Sequence, residues 1–270
     1  MMLKLLRIDR SGPIGIAVII LALATAAHGQ QPRASATEEQ TLAFFYKDPK
    51  PERMARLMEA LATSQAPANA YPPVAGALTI ILLKQPSVLE KVMPANLTPQ
   101  AATAIAAAVT LSGGPPISDT ARTRLGKAGR DNWLSLEFAN LPDRLDDLVV
   151  RTPTHLDLLW GAALASGDPR YVRKIIGYFA ATANESELVA IDVARTAVAM
   201  AGGPKEIYNE LKSKYGEKGR QIIFAGVALW ALQSNARQHE FVDREVAAYL
   251  STNPGTPASK ALSALRSKRT

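Results

Sequence analysis

The residues of this sequence that could do chemistry are few, because it has no cysteine and only three histidines. The absence of cysteine excludes disulfides, thiolate zinc sites, iron–sulfur clusters and cysteine nucleophiles. His239-Glu240 begins like the zinc-binding pattern H-E-x-x-H, but Asp243 stands where the second histidine is required, and the pair suits the first turn of an amphipathic helix. P-loops, dinucleotide-binding glycine patterns and the serine motifs G-x-S-x-G and S-x-x-K are also missing. We therefore predict no catalytic residue, no metal site and no cofactor.

Two short motifs that look like catalytic pairs are explained more simply as helix starts. Thr154 is a predicted N-cap with Asp157 three residues later, which makes a capping box and leaves His155 exposed in the first turn. Glu185-Ser186 resembles the catalytic pair of lytic transglycosylases, but the glycine-rich continuation is absent. Its polar surroundings predict a loop that leads into a helix.

Two groups of charged residues are candidates for binding a partner. One is a basic run, the densest cluster of one sign, which could contact an anionic envelope surface or an acidic protein. The other is Asp192 with Arg195, three residues apart in an otherwise apolar helix, where an internal ion pair is expected. If that helix lines a groove, the pair could hold a ligand instead. The predicted partner-binding residues are Arg122, Arg124, Lys127, Arg130, Asp192 and Arg195.

The elements that position these residues follow a predicted secretory signal peptide, residues 1–29. Basic side chains precede an apolar stretch over 14–27, and small residues at Ala27 and Gly29 suit cleavage before Gln30. The stretch is shorter than the roughly 20 residues that span a bilayer, so no transmembrane span is expected after cleavage. Cleavage removes three basic residues and one acidic residue and lowers the net charge from +7 to +5. We expect export to the periplasm or the medium, where nucleic acid is not an expected partner.

The rest of the chain has the pattern of an all-α protein. Thr98-Pro99 and Asp168-Pro169 are explicit helix starts, in which an N-cap residue is followed by proline at the first helical position. No segment alternates apolar and polar residues with period two, so no strand is expected. The predicted regions are a flexible leader (30–36), one helical domain (37–266, with a sub-boundary near 113–117) and a basic tail (267–270).

A repeat of about 34 residues is visible in the second half of the chain. Three apolar helices are predicted to end at Gly167, Gly202 and Asn235, which are 35 and 33 residues apart, and an amphipathic helix follows each of them. Two helices per unit at this period predict stacked α-hairpins, a short solenoid in which the apolar helix of each unit is enclosed by its neighbours. The alternative is an irregular helical bundle.

The repeat region, residues 154–250, resembles exported bacterial helical-repeat proteins of the tetratricopeptide-like or HEAT-like kind, most clearly in LLWGAALASGDPRYVRKII and LWALQSNA. It departs from the tetratricopeptide pattern W-x-x-L-G-x-x-Y, since no tyrosine stands at the required distance from Trp160. The resemblance implies an extended binding surface. We expect an exported soluble scaffold that binds a peptide or protein partner in the cell envelope. The alternative is an envelope hydrolase of glycans or peptides, in which carboxylates meet in a cleft.

Overall fold

The fold is entirely helical in the part of the chain that the structure describes. A computed structural model describes residues 42–64, 66, 68–127, 141–202 and 206–266. Over these residues the chain forms twelve α-helices and no β-strand, and none of the helices is both long and apolar enough to cross a membrane. The all-α prediction is confirmed. The predicted signal peptide, leader and basic tail lie outside the described residues.

The α-helices are numbered in chain order, with short 3-10 helices at Phe45–Lys47, Ala68–Ala70, Pro86–Val88 and Leu145–Asp147. The α-helices are α1 Pro51–Thr63, α2 Tyr71–Lys84, α3 Leu89–Val92, α4 Pro99–Leu111, α5 Asp119–Lys127, α6 Pro153–Ser166, α7 Pro169–Ala183, α8 Glu187–Met200, α9 Ile207–Tyr215, α10 Glu217–Ala236, α11 Glu240–Thr252 and α12 Pro257–Arg266.

Local capping chemistry sets the helix starts that carry proline. Thr98 Oγ1 accepts a hydrogen bond from the amide of Ala101 at 3.3 Å, and the Asp168 carboxylate accepts one from the amide of Arg170 at 2.9 Å. Each cap satisfies an amide that has no partner within its helix. Both predicted starts are confirmed, because α4 and α7 begin at the proline that follows the cap.

The predicted start of α6 is wrong by two residues. Its N-cap is Thr152, whose Oγ1 accepts a hydrogen bond from the His155 amide at 3.3 Å, and the helix begins at Pro153. Thr154, the predicted cap, lies inside the helix and is buried. The signal that would have given the correct start is the same one that marks α4 and α7, a polar residue followed by proline.

The centre of the molecule is the crossing of α2 and α6. Both helices are buried along nearly their whole length. A glycine lies at the crossing on each side: a Cβ added to Gly76 would stand 1.9 Å from the carbonyl oxygen of Leu158, and one added to Gly161 would stand 1.8 Å from that of Pro73. The two backbones are therefore in direct contact, at a distance that a side chain at either glycine would prevent.

The second half of the chain packs around α7 and α10. Helix α10 contacts α7, α8, α9 and α11, and α7 also contacts α6, α8, α11 and α12. The predicted helical hairpins are present, but the contacts of α7 with α10 and α11 join the first and third of the predicted repeat units. Repeats in a solenoid touch only their neighbours, so this packing also fits the alternative of an irregular bundle.

The substitution Gly161→Ala tests the backbone contact. Because the added methyl group would overlap the Pro73 carbonyl, α2 and α6 must separate, and we expect the free energy of unfolding to fall by about 1–3 kcal/mol. Urea denaturation followed by circular dichroism measures the change. The control is Gly177→Ala in α7, where an added Cβ meets no atom within 4 Å and alanine should raise the free energy of unfolding by about 0.5–1 kcal/mol. Equal effects of the two substitutions would contradict the contact.

Candidate partner-binding site

Helix α8 has apolar side chains on two opposite faces. Its inner face is buried against α10, α12 and α7. On its outer face Leu188, Ile191 and Val198 are 52%, 55% and 40% exposed. Arg195 lies between the last two, so these four residues follow the spacing three, four, three and line up along one side of the helix. We call these four residues the α8 stripe.

Asp192 lies beside the stripe and is almost completely buried, with 2% of its side chain exposed. The predicted ion pair with Arg195 is present, with 3.0 Å between Nη1 and Oδ1. The other carboxylate oxygen accepts hydrogen bonds from Lys214 Nζ and Tyr215 Oη of α9, each at 2.9 Å. Burial by itself raises the pKa of Asp192, but the hydrogen bonds from Lys214, Tyr215 and Arg195 outweigh it and hold the pKa below its ordinary value. Asp192 is therefore a fixed anion that joins α8 to α9.

Arg195 continues this network toward the surface. Its Nη1 and Nη2 donate to the two oxygens of Glu210 at 2.8 and 2.7 Å, a planar two-pronged contact. The hydrogen bonds from Arg195 lower the pKa of Glu210, and those to Glu210 and Asp192 raise the pKa of Arg195. Asp192, Arg195, Glu210 and Lys214 together carry no net charge, so the network neutralises the only arginine in the stripe.

The sequence predicts the Asp192–Arg195 pair but not its partners on α9. Glu210 and Lys214 lie four residues apart, which places them on one side of that helix, and Tyr215 directly follows Lys214. Such a spacing is common on solvated helices, and it does not indicate that α9 packs against α8. Only the packing of α9 against α8 and α10 brings the two groups together.

In the predicted basic run, one arginine has a structural role and two basic residues are exposed at the surface. Arg124 donates to the backbone carbonyls of Pro94 and Ala95, which fastens α5 to the loop before α4. Arg122 and Lys127 are exposed on α5. Arg130 lies outside the described residues. Binding of this run to an anionic surface stays a prediction.

His155 is buried, so the prediction that it is exposed is wrong. Its Nδ1 accepts a hydrogen bond from the Arg151 amide at 3.2 Å and lies 3.0 Å from the carbonyl oxygen of Val149. Burial lowers the pKa of His155. The physical reason is that α6 is enclosed on all sides, including its first turn, so a polar residue there is covered as well. A catalytic pair with Asp157, which is also buried, would have no access to solvent.

His239 is the N-cap residue of α11, directly before Glu240, and is only 1% exposed. It packs among Phe44, Tyr46 and Phe241, with ring centroids 4.9, 5.7 and 5.9 Å from its own. Tyr46 Oη lies 3.3 Å from its Nδ1, and its Nε2 has no hydrogen-bond partner among the described residues. Burial, and to a lesser extent the charge of Lys47, lower the pKa of His239 to about 4. This cluster fastens the first described residues of the chain to α11.

The described residues contain no group of three or more histidine and carboxylate side chains that could hold a metal ion. Asp192, the most buried carboxylate in this region, has both oxygens engaged by three donors and is poorly suited to donate or accept a proton. The geometry therefore gives the hydrolase alternative no acid–base pair in this region.

Comparisons of the chain with protein-family models, with curated proteins and with solved structures found no match. The resemblance to exported helical-repeat proteins accordingly stays a prediction.

Acid should weaken the fold through His239. The folded state holds this histidine at a pKa of about 4 and the unfolded chain at about 6.5, so the unfolded chain takes up the proton first as the pH falls. We expect the free energy of unfolding to be highest above pH 6.5 and to fall by about 3 kcal/mol by pH 4 from this residue alone. Urea denaturation at a series of pH values measures the loss.

His239→Phe is the matched variant for this experiment, because phenylalanine fills the aromatic cluster without a titratable group. The variant keeps His155, whose pKa is lowered in the same direction, so the difference between the two pH profiles isolates His239. Parallel profiles would contradict the assignment.

Proposed function

We propose that the chain is an exported helical scaffold that binds a peptide or protein partner in the cell envelope through the α8 stripe. The observation that carries this proposal is the exposure of Leu188, Ile191 and Val198 on one side of a helix whose other side is core. The other large apolar side chains of comparable exposure in the described chain, Leu83 and Val149, do not belong to this row.

Exposed apolar side chains are common on proteins as single residues, whereas a contiguous row has a free-energy cost. Each Å² of apolar surface left in water forgoes about 25 cal/mol that burial would supply. Contiguous apolar patches rimmed by polar groups are typical of binding sites. The α8 stripe has such a rim, with Glu210 of α9 on one side and the Lys260–Glu187 ion pair, 2.6 Å, toward α12.

The spacing of the stripe indicates what kind of surface it fits. Apolar residues that repeat at three and four residues form the seam of two helices that pack side by side. A helix of 14 residues is about 21 Å long, so the stripe offers roughly two heptads of contact. A partner helix laid along α8 would cover the row, including Arg195, and would leave the Lys260–Glu187 ion pair at its edge in water.

Export rests on residues 1–29, whose basic start, apolar centre and small-residue end have the layout of a signal peptide. The absence of cysteine from the chain is compatible with an oxidising compartment, since no thiol can form a wrong disulfide there. The proposed site of action is therefore the periplasm or the medium.

Export predicts a defined mature N-terminus. Protein purified from the envelope fraction or medium of the source organism should begin at Gln30 when its N-terminal peptide is identified by mass spectrometry. An Ala27→Leu substitution places a large residue at the position three before the cleavage site and should leave the precursor uncut. A protein that retains residues 1–29 in the cytoplasm would overturn the export proposal.

Partner binding is tested by a photocrosslinking amino acid placed at position 191 and, as a control, at exposed position 244 on α11. In cells of the source organism we expect position 191, and not 244, to give one discrete adduct that mass spectrometry identifies. The purified partner should then bind Ile191→Asp at least tenfold more weakly, because a charge at a half-buried apolar contact must be desolvated. Ile191 is exposed in the free protein, so the variant should unfold at an unchanged urea concentration. The same adducts from both positions, or none from 191, would contradict the proposal.

A further inference from the structure

We infer that the partner of the α8 stripe is an amphipathic helix that lays an aromatic side chain on the flat face of the Arg195 guanidinium, between Ile191 and Val198. This inference rests on the proposed function, since it names the class of partner that the same surface would recognise. Arg195 is the one residue of the stripe that is not apolar.

The hydrogen bonds of Arg195 fix the orientation of its guanidinium. Three donor contacts, two to Glu210 and one to Asp192, hold the group from two sides. Contacts of this kind lie in the guanidinium plane, so they fix the plane and do not occupy its faces. Because 46% of the side chain is exposed, a partner can reach it.

The charges around Arg195 select against an acidic contact. A carboxylate brought to the stripe would meet a cation that Asp192 and Glu210 already neutralise, and it would be repelled by both of these anions. An aromatic ring has no charge to be repelled and is attracted to the face of a guanidinium, which is the geometry of a cation–π contact. Its edges would meet the aliphatic side chains of Ile191 and Val198.

The size of the stripe favours one helix over a second copy of this chain. A stable dimer needs roughly 800 Å² buried on each subunit, more than one side of a helix about 21 Å long provides. A second copy would also bring the same four side chains, none of which is aromatic. A single helix of about three turns from another protein matches the length of the stripe and can carry an aromatic side chain.

The probes are three fluorescein-labelled helical peptides of 18 residues with the same leucine heptads and one variable central position, which holds tryptophan, leucine or glutamate. Binding to the mature chain is measured by fluorescence anisotropy. We expect the tryptophan peptide to bind about two- to fivefold more tightly than the leucine peptide, and the glutamate peptide to bind most weakly.

Variants at Arg195 separate stacking from general hydrophobicity. In Arg195→Leu and in Arg195→Lys, which keeps the charge without the planar group, the ratio between tryptophan and leucine affinities should fall toward the value that hydrophobicity alone gives. Asp192 retains Lys214 and Tyr215 in both variants, which maintains the fold. An unchanged ratio, or tightest binding by the glutamate peptide, would overturn the aromatic contact while helix binding stands.

Three further outcomes would overturn the helical partner itself. One is the absence of binding by all three peptides. Another is sedimentation with phosphatidylglycerol and phosphatidylethanolamine vesicles that Ile191→Asp abolishes, which would make the stripe a membrane contact. The last is concentration-dependent dimerisation abolished by the same variant in analytical ultracentrifugation, which would make the occupant a second copy.

Discussion

The contact between the backbones of α2 and α6 is the constraint on which the rest of the structure depends. Gly76 and Gly161 let each helix touch a carbonyl of the other, and this crossing is the principal connection between residues 42–127 and residues 141–266 of the described chain. Helix α6 runs into α7 through Gly167, whose positive φ of 68° ends one helix one residue before the cap of the next. The position of α7, and through it of α8 and α10, therefore depends on how closely α2 and α6 approach each other.

The enclosure of α6 also explains why exposure could not be predicted from the polarity of a side chain there. His155 is predicted to be an exposed first-turn residue, because polar side chains at a helix start are usually solvated. It and Asp157 are buried in a helix that α2 covers, and α2 lies tens of residues away in the chain. Burial of a helix face depends on its neighbour, and a single sequence carries almost no information about which helix that is.

Local chemistry was predictable for the opposite reason. The starts of α4 and α7, and the row of buried residues at spacings three and four in α7, depend only on residues within two turns of one another. The Asp192–Arg195 pair belongs to the same class, since both residues lie on one helix. Their partners lie on a different helix, α9, and could not be predicted in this way; they are Glu210, Lys214 and Tyr215. The sequence thus predicts two of the five residues of the network, and tertiary packing brings the other three to them.

The same network explains how a helix that is apolar on two sides can leave one of them open. The repeat pattern predicts that such a helix is enclosed by the next unit, and α10 covers the inner side of α8. On its outer side, the buried carboxylate of Asp192 accepts hydrogen bonds from Lys214 and Tyr215, which hold α9 beside the stripe. Because the four charges cancel, this edge neither attracts ions strongly nor repels an apolar surface. An added helix would bury the stripe without breaking any contact that holds α8 in place.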